Sequence, residues 1–357
     1  LFAGFEPPMT HLVDHLKYWA QSLPDTLAFG YLADGESVSQ RLTYSQLETR
    51  AKSIAAEIEK RGLRGDRVLL LYPPCIDFIE AFFAIQLAGA IPVPAYPPRK
   101  SRNGGRIDLI AQDADAKLIM TNRETITRMK NLLAETECLK HIPLVASEEI
   151  PNEYADDFKN LPISIDDVGL LQYTSGSTGS PKGVVLTHRN LMESCKMITR
   201  AFKLYQHGSG VSWLPTYHDM GLVGGILNPL FIGCPKYLMP PLAFLAKPVR
   251  WLRAISELRT NIAGGPNFAY QLCVDKISEE EAADLDLSCW EVAFNGAEPI
   301  RPETLAAFNA KFAPNGFRPT SHYPCYGMAE TTLLVTGGDS PELPLIQGFD
   351  RQALDGY

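Results

Sequence analysis

Short apolar runs alternate with helix-patterned segments along most of the chain. In the first half these runs are RVLLLY, IPVPAY, KLIMT and HIPLVA. In the second half they are DVGLLQ, VVLTH, GVSWLP, KYLMP, NIAGG and EVAFNG. Continuous apolar runs of this length are typical of strands that are covered on both faces. Their alternation with helices predicts βαβ units, and therefore an α/β fold with mostly parallel sheets covered by helices.

The segments between the runs carry apolar residues at helical spacing. From Thr10 to Gln21, apolar residues recur every three or four positions. In SQLETRAKSIAAEIEKRG, Ser45 is the predicted N-cap and Gly62 the predicted stop. Further helices are predicted in IDFIEAFFAIQLAG, RNLMESCKMITRAF, KPVRWLRAISELR and RPETLAAFNAKF.

An acidic, proline-bounded segment, SEEIPNEYADDFKNLP at 147–162, interrupts the alternation. It has the composition of a surface connection. We therefore predict two packed α/β subdomains, one at residues 1–160 and the other at residues 161–357.

Composition narrows the class of protein. The chain has 357 residues, of which 45% are hydrophobic and 21% charged, as in an ordinary globular protein. Its net charge of -8 argues against a nucleic-acid partner, so an anionic ligand would be held by local donors. The seven dispersed cysteines form no C-x-x-C pair, which indicates reduced thiols and no structural zinc. Without a signal peptide or a long enough apolar stretch, we expect a cytoplasmic chain with no membrane span.

The segment YTSGSTGSPKG at 173–183 has the chemistry of a phosphate-binding loop. Its glycines allow backbone N–H groups to approach an anion closely, its hydroxyls add donors, and Lys182 adds a cation. A flexible linker is the alternative interpretation of such a composition. The Walker A pattern fails because Gly183 follows Lys182, and no G-x-G-x-x-G follows a strand.

This loop resembles the signature loop of the adenylate-forming superfamily, and three other segments follow it in the expected order. They are LPTYHDMGL at 214–222, FNGAEPI at 294–300 and YGMAETT at 326–332. Together with YPPCIDFIEAFFAIQLAGAIPVPAYPPR and GGPNFAYQLC, they look most similar to the fatty acyl-AMP ligases. The resemblance covers essentially the whole chain and implies the large N-terminal domain of such an enzyme.

The resemblance implies that ATP activates a medium- or long-chain fatty acid to acyl-AMP, with Mg²⁺ as cofactor and an acyl carrier protein as acceptor. It implies catalytic groups at His218, Lys182 and Glu330, with Glu330 also holding the metal. The implied ATP- and AMP-binding residues are Thr174, Ser175, Gly176, Ser177, Thr178, Gly179, Lys182, Asn295, Gly296, Ala297, Glu298, Tyr326, Gly327, Met328, Ala329 and Thr331. The implied acyl-binding residues are His218, Met220, Gly221, Gly264, Gly265, Pro266 and Phe268.

Each of these roles has a plainer alternative. His218 could be a buried histidine satisfied by Asp219 or by backbone, and Asp219 is expected to orient it rather than to react. Glu330 could be a carboxylate at a helix N-terminus, Tyr326 a core residue, and Glu298 a solvated turn residue. The apolar positions of the expected acyl tunnel cannot be distinguished from ordinary core by pattern.

The superfamily continues beyond the motifs found here, through a ribose-binding aspartate, a hinge and a small C-terminal domain with a catalytic lysine. Because the chain stops at Tyr357, we expect this piece to lack that domain and to adenylate slowly. Two other functions remain open from the sequence: a long-chain acyl-CoA synthetase, and a non-catalytic nucleotide- and acyl-binding module of the same fold.

Overall fold

The computed structural model describes residues 9–97, 104–174 and 181–350. Its strands are β1 (Leu27–Tyr31), β2 (Gln40–Thr43), β3 (Arg67–Leu70), β4 (Ile91–Pro94), β5 (Leu118–Thr121), β6 (Leu144–Ala146), β7 (Val168–Thr174), β8 (Lys182–Thr187), β9 (Gly210–Ser212), β10 (Lys236–Leu238), β11 (Ile262–Gly265), β12 (Val292–Asn295), β13 (His322–Gly327) and β14 (Leu334–Gly337). Its α-helices are α1 (Leu12–Ser22), α2 (Tyr44–Lys60), α3 (Ile76–Leu87), α4 (Gly104–Asp113), α5 (Arg123–Ala134), α6 (His188–Ala201), α7 (Asp219–Leu222), α8 (Asn228–Ile232), α9 (Pro241–Ala246), α10 (Val249–Leu258), α11 (Asn267–Lys276), α12 (Glu279–Ala282) and α13 (Pro302–Phe312).

The strands form two sheets and a hairpin. The larger sheet has the order β14–β13–β12–β11–β9–β10–β1–β2 and is parallel except for its two edge pairs, β13–β14 and β1–β2. The smaller sheet, β4–β3–β5–β6, is parallel throughout. These pairings confirm the predicted α/β fold with mostly parallel sheets. The helices cover the sheets because a parallel strand must be buried on both faces.

The antiparallel hairpin of β7 and β8 connects the two sheets at the level of the candidate site. It lies against β4 of the smaller sheet. The side chain of Gln86, on α3, donates a 2.9 Å hydrogen bond to the carbonyl of Gly169 in β7. On the other side, the buried Gln172 donates a 2.9 Å hydrogen bond to the carbonyl of Tyr217. Since both amides are buried, these bonds fix the hairpin relative to both sheets.

The core is mostly apolar, and α3 lies within it. Every residue of α3 except Asp77 is buried, in agreement with a sequence that is apolar nearly all round. Phe78, Phe82 and Phe83 of this helix contact one another in tilted and edge-to-face pairs. Such a helix is stable only with protein on all sides, so it holds the helical layer between the sheets together.

The structure extends the predicted pattern at the edges of the larger sheet. The short strands β1, β2, β13 and β14 were not among the predicted runs, because β2 is largely exposed and β13 contains Pro324 and Gly327. Strands β1 and β2, from before residue 160, pair into the sheet that holds β9 to β14. The proposed division at residue 160 therefore cuts through one sheet, and the subdomain boundary stays a prediction. Within the described residues, no helix has both the length and the apolar character needed to cross a bilayer.

The predicted N-cap of α2 is wrong by two residues. The helix begins at Tyr44, and Thr43 is its N-cap: the Thr43 hydroxyl accepts from the backbone N–H of Gln46 at 3.2 Å. The Gln46 side chain returns a 2.9 Å bond to the Thr43 N–H. This reciprocal capping box satisfies two N–H groups, which Ser45 in the first turn cannot do.

We expect Thr43→Ala to lower the free energy of unfolding by about 1 kcal/mol, because it removes the capping hydroxyl. Ser45→Ala is the matched control and should have a much smaller effect. Denaturant unfolding of both variants measures the difference. An equal loss in the two variants would contradict the assignment of the cap.

Candidate active site

A cavity of about 290 Å³ lies beside the larger sheet and opens near the carboxyl ends of β12 and β13. This is the edge at which parallel α/β sheets commonly bind ligands. Its inner wall is apolar and includes Ile198, Phe202, Ile262, Phe294, Leu333 and Leu334. Its polar residues include Thr174, His218, Asp219, Tyr326 and Glu330. The cavity therefore has an apolar interior and a set of polar groups contributed by three of the four motifs.

The motif LPTYHDMGL carries His218 into this cavity through a tight strand-to-helix turn. The backbone N–H of His218 donates to the carbonyl of Pro215 at 3.2 Å. A Cβ on Gly221 would lie only 2.0 Å from the same carbonyl oxygen. Only glycine permits this approach of helix to turn, so the glycine of the motif fixes the position of the histidine.

His218 and Asp219 form an ion pair in which the ring Nδ1 lies 2.6 Å from Asp219 Oδ1. The same carboxylate oxygen accepts a 2.6 Å bond from the Met220 N–H. The hydrogen bond to Asp219 raises the pKa of His218, and partial burial opposes that rise. With Nδ1 bound to the carboxylate, the ring presents Nε2 as its remaining nitrogen. His218 thus contacts Asp219 and lines the cavity, but its side chain is 53% exposed and not buried as the plainer alternative requires, and its role stays a prediction.

After Asp219 the chain continues as one helical segment with a local change of winding. The helix α7 leads into a π-turn at Val223–Leu227 and then into α8. Gly224 and Asn228, on this segment, line the cavity. The Asn228 amide donates to the Cys195 carbonyl and to the Thr199 hydroxyl, both at 3.0 Å, which ties the segment to α6. π-turns are uncommon and are frequent at functional sites.

The motif YGMAETT folds back on itself at the cavity mouth. A Cβ on Gly327 would meet the carbonyl oxygen of Leu333 at 2.1 Å, so the two backbones touch. Between them, Glu330 lies in a short 3₁₀ turn, and Thr332 has a φ of 72°. A β-branched residue rarely adopts this left-handed conformation. The turn directs the exposed carboxylate of Glu330 to the rim of the cavity, and Tyr326 is 56% exposed beside it.

The segment FNGAEPI supplies the neighbouring wall. After β12 ends at Asn295, Gly296 and Ala297 line the cavity. A Cβ on Gly296 would lie 2.9 Å from the carbonyl oxygen of Cys325, and Ala297 has a φ of 67°. Glu298 turns away from this wall, because its carboxylate accepts a 2.5 Å bond from the backbone N–H of Phe268.

The hairpin brings Thr174, one end of the predicted phosphate loop, to the same mouth. Thr174 and Lys182 are paired at the end of the β7–β8 ladder, and Thr174 lines the cavity. Lys182 is exposed. The predicted binding residues Ser175, Gly176, Ser177, Thr178 and Gly179 lie outside the described residues.

Several predicted acyl-binding residues lie away from this cavity. Gly264 packs against Phe294, and Gly265 packs against the ring of Trp213, with no room for a side chain at either position. Phe268 is 43% exposed and contacts Trp213 edge to face. Of the other predicted binding residues, three line the cavity: Met220, Met328 and Ala329. Thr331 lines an adjoining groove. Four are not part of the cavity wall: Gly221, Pro266, Asn295 and Glu298. The roles of all these residues stay predictions.

A second cavity of about 380 Å³ meets the first at Thr174, His218, Asp219 and Ala329. Its far wall comes from the smaller sheet and includes Tyr96 and Arg106. Arg106 donates a 3.2 Å hydrogen bond to the Thr174 carbonyl. The sequence analysis predicted a role for none of these residues, and none for Ile198 and Phe202 of the first cavity. Apolar residues such as Ile198 and Phe202 have the same spacing whether they line a cavity or fill a core.

A family model described as AMP-binding enzyme matches residues 16–349. The chain belongs to the AMP-binding enzyme family. This AMP-binding enzyme is 41% identical over 354 residues to the medium-chain-fatty-acid–[acyl-carrier-protein] ligase JamA of Moorena producens, covering 98% of the chain and 60% of JamA. It is 38% identical over 380 residues to the corresponding ligase TtuA of Teredinibacter turnerae, covering 96% of the chain and 59% of TtuA.

A solved structure gives the same relationship. The crystal structure of a fatty acyl-adenylate ligase from L. pneumophila, in complex with acyl adenylate and pyrophosphate, matches with a TM-score of 0.89 at 39% identity. The match covers 94% of this AMP-binding enzyme and 58% of that chain. These similarities confirm the resemblance and fold predicted from the motifs. The chain spans about 60% of the length of the curated relatives it matches.

We expect the pKa of His218 to lie above the ordinary histidine value of about 6.5, and Asp219→Asn to lower it by removing the charged acceptor. Because folding raises the pKa of His218, the pair contributes its full stabilisation at pH values below the pKa of this histidine in the unfolded chain. The contribution is lost as the pH rises through the pKa of the folded state. Asp219→Asn should therefore cost more stability near pH 6 than near pH 8. NMR titration of the ring and denaturant unfolding at both pH values measure this. An unchanged ring pKa in the variant would contradict the pairing.

Proposed function

We propose that this chain activates a medium- or long-chain fatty acid with ATP, forming acyl-AMP and pyrophosphate for transfer to an acyl carrier protein. The observation that carries the proposal is the amphipathic cavity. Its apolar interior suits an alkyl chain, and the polar groups at its mouth suit a carboxylate that meets a nucleotide. Burial of the alkyl chain contributes about 0.8 kcal/mol per methylene, so such an interior favours long acids over short ones.

The reaction requires two anions to approach each other. An oxygen of the fatty carboxylate attacks the α-phosphorus, the new acyl–O–P bond forms, and the bond to the β-phosphate oxygen breaks with pyrophosphate as leaving group. Fixed donors and positioning are therefore more important than an acid–base pair. We assign His218 to donate from Nε2 to the oxygens on which charge accumulates, while Asp219 holds the ring through Nδ1.

We assign the phosphate groups of ATP to the loop that begins at Thr174 and ends near Lys182, and Mg²⁺ to Glu330. Among the described residues, no cluster of three or more His, Cys, Asp or Glu side chains could hold a metal by itself. Mg²⁺ commonly takes one or two protein carboxylates and completes its shell with phosphate oxygens and water. One exposed carboxylate at the rim fits that requirement. The ion would neutralise charge on the phosphates.

The adenine ring is assigned to the space between the Gly296–Ala297 turn and Tyr326. The small residues of the turn allow a flat base to approach the backbone, and the half-exposed tyrosine offers a π-face. Tyr326 is not a core residue, so the alternative interpretation of this motif position loses its support.

The acyl acceptor and the compartment rest on less direct support. The names of JamA and TtuA specify an acyl-carrier-protein ligase, which favours the carrier phosphopantetheine thiol over free coenzyme A as acceptor. All seven cysteines are free, and burial raises the pKa of every one of their thiols, that of Cys234 to about 11. Free, unreactive thiols are typical of a reducing compartment and favour the cytoplasm.

We expect Lys182→Met and Glu330→Gln each to weaken ATP–Mg²⁺ binding about ten- to a hundred-fold, because each removes a charged contact to the phosphates or their ion. Isothermal titration calorimetry measures this on the 357-residue chain itself. Lys276→Met and Glu342→Gln are the matched controls, since both lie on the surface away from the cavity. Unchanged affinity in both site variants would sink the nucleotide assignment.

We expect Gly224→Leu to shorten the acyl chain that the cavity accepts. A Cβ at this position would meet only the Leu333 side chain, at 3.4 Å, so a leucine would extend into the cavity. Affinity for dodecanoyl-sulfamoyl-adenosine should fall about fourfold for each methylene displaced, while affinity for the acetyl analogue stays the same. Gly338→Leu, where nothing lies within 4 Å, is the control. A parallel loss for both analogues would argue against an acyl role for this cavity.

A further inference from the structure

Asn228 places a polar side chain in the apolar inner wall of the cavity. It is the first residue of α8, is 2% exposed, and lines the cavity together with Ile198 and Ile262. An asparagine side chain carries two N–H donors at one end of its amide and an acceptor oxygen at the other. Because the residue is buried among apolar side chains, both ends need hydrogen-bond partners.

The nitrogen end of this amide is fully bound to α6. Asn228 Nδ2 donates 3.0 Å hydrogen bonds to the Cys195 carbonyl and to the Thr199 hydroxyl. The Thr199 hydroxyl donates its own hydrogen to the same carbonyl at 2.8 Å, so it accepts from the amide. A carbonyl oxygen can only accept, and this contact therefore fixes which end of the amide is the nitrogen. Both amide hydrogens are thus used within the protein.

The oxygen end has no such partner. Across the part of the chain that the structure describes, no N–H or O–H group donates to Asn228 Oδ1. The oxygen is nevertheless accessible, in contrast to the enclosed and unpartnered amide oxygens of Asn295 and Asn309. Asn228 borders the cavity of about 290 Å³ and a slot of about 10 Å³. The slot holds one water molecule at most, so a donor on a ligand can reach the oxygen only from the cavity.

The helical segment places Asn228 far from His218. Met220, Gly224 and Asn228 follow one another at four-residue spacing and all line the cavity, so the segment turns one face toward it. From His218 to Asn228 the segment advances about 10–15 Å, given a rise of about 1.5 Å per helical residue. A chain whose carboxylate lies at His218 therefore passes Asn228 with its middle or distal carbons.

A saturated alkyl chain would leave the acceptor without a donor. Such a chain would exclude water from the cavity and bury the amide oxygen against methylene groups, which is unfavourable. A keto group on the chain cannot donate, and an ammonium group would bring a charge that the apolar wall does not compensate. A hydroxyl group is neutral and supplies the missing hydrogen.

We propose that Asn228 is a specificity-determining residue whose amide oxygen accepts a hydrogen bond from a hydroxyl on the acyl chain. The preferred substrate is then a medium- or long-chain fatty acid that is hydroxylated at a middle or distal carbon. This inference rests on the proposed function, because it takes the cavity to hold the acyl chain. It gives Asn228 no part in the chemistry at the α-phosphorus.

The test compares dodecanoyl-sulfamoyl-adenosine with analogues that carry one hydroxyl, moved carbon by carbon from the third to the last, on the unmodified chain. Where the hydroxyl reaches Asn228, the analogue should bind about three- to tenfold more tightly than the plain one, and hydroxyls at the other internal carbons should weaken binding. A plain analogue that binds as tightly as every hydroxylated one, or a gain confined to the third carbon, would overturn the inference. Failure of all analogues to bind would instead overturn the proposed function.

Asn228→Leu identifies the asparagine as the source of the preference. Leucine is similar in size and has no acceptor, and the Cys195 carbonyl keeps its bond from the Thr199 hydroxyl. In this variant the favoured hydroxylated analogue should bind more weakly than the plain one. Thr199→Val is the matched control: it removes one partner of the amide nitrogen but leaves the bond to Cys195, so the hydroxyl preference should persist.

The ratio of the two affinities separates recognition from a purely structural role, because a loss of stability alone would weaken both analogues together. A hydroxyl preference that persists in Asn228→Leu would contradict the assignment. Should this variant not fold, the comparison on the unmodified chain still decides whether the preference exists.

Discussion

The site depends on close contact between backbone segments at positions that have no room for a side chain. At Gly221 the helix that follows His218 rests on the carbonyl of Pro215, and at Gly327 the strand that precedes Glu330 rests on the carbonyl of Leu333. These two contacts determine where the turns point. The side chains of Tyr326 and Glu330 are exposed, and the half-exposed His218 is held through its contact with Asp219, which lies on the same turn. Their placement is therefore a property of the backbone beneath them.

The same constraint explains how the cavity combines two kinds of surface. The turns place His218 and Glu330 at the mouth, whereas α6 and the strands of the larger sheet supply apolar side chains behind them. Phe202 of this inner wall stacks on Phe294 with ring centroids 6.0 Å apart. Packing of this kind surrounds the inner part of the cavity with apolar side chains, as an alkyl chain requires.

Much of the fold could be predicted from the sequence, because the helical spacing of apolar residues and the continuous apolar runs both reflect which residues are buried. The central strands and the long helices were predicted from these features. The edges were not: β2 is too exposed and β13 too rich in turn-forming residues to give a strand signal. The N-cap of α2 was misplaced because Thr43 and Ser45 are equally good capping residues, and only the start of the helix distinguishes them. The resemblance to the adenylate-forming superfamily gave the motifs at the mouth. Neither the resemblance nor the apolar pattern gave the inner wall, because Phe202 or Ile262 would look the same in a solid core. Gly264 and Gly265, which were predicted to line the tunnel, pack closely against Phe294 and Trp213, and their role stays a prediction.

The central claim is that one cavity holds the nucleotide at its mouth and the acyl chain inside. A crystal structure of the chain with dodecanoyl-sulfamoyl-adenosine tests it most directly. The account predicts the adenosine between Tyr326 and the Gly296–Ala297 turn, the sulfamoyl group beside His218, and the alkyl chain between Phe202 and Ile262. An alkyl chain that instead occupies the cavity beside Tyr96, or density remote from His218 and Glu330, would contradict it.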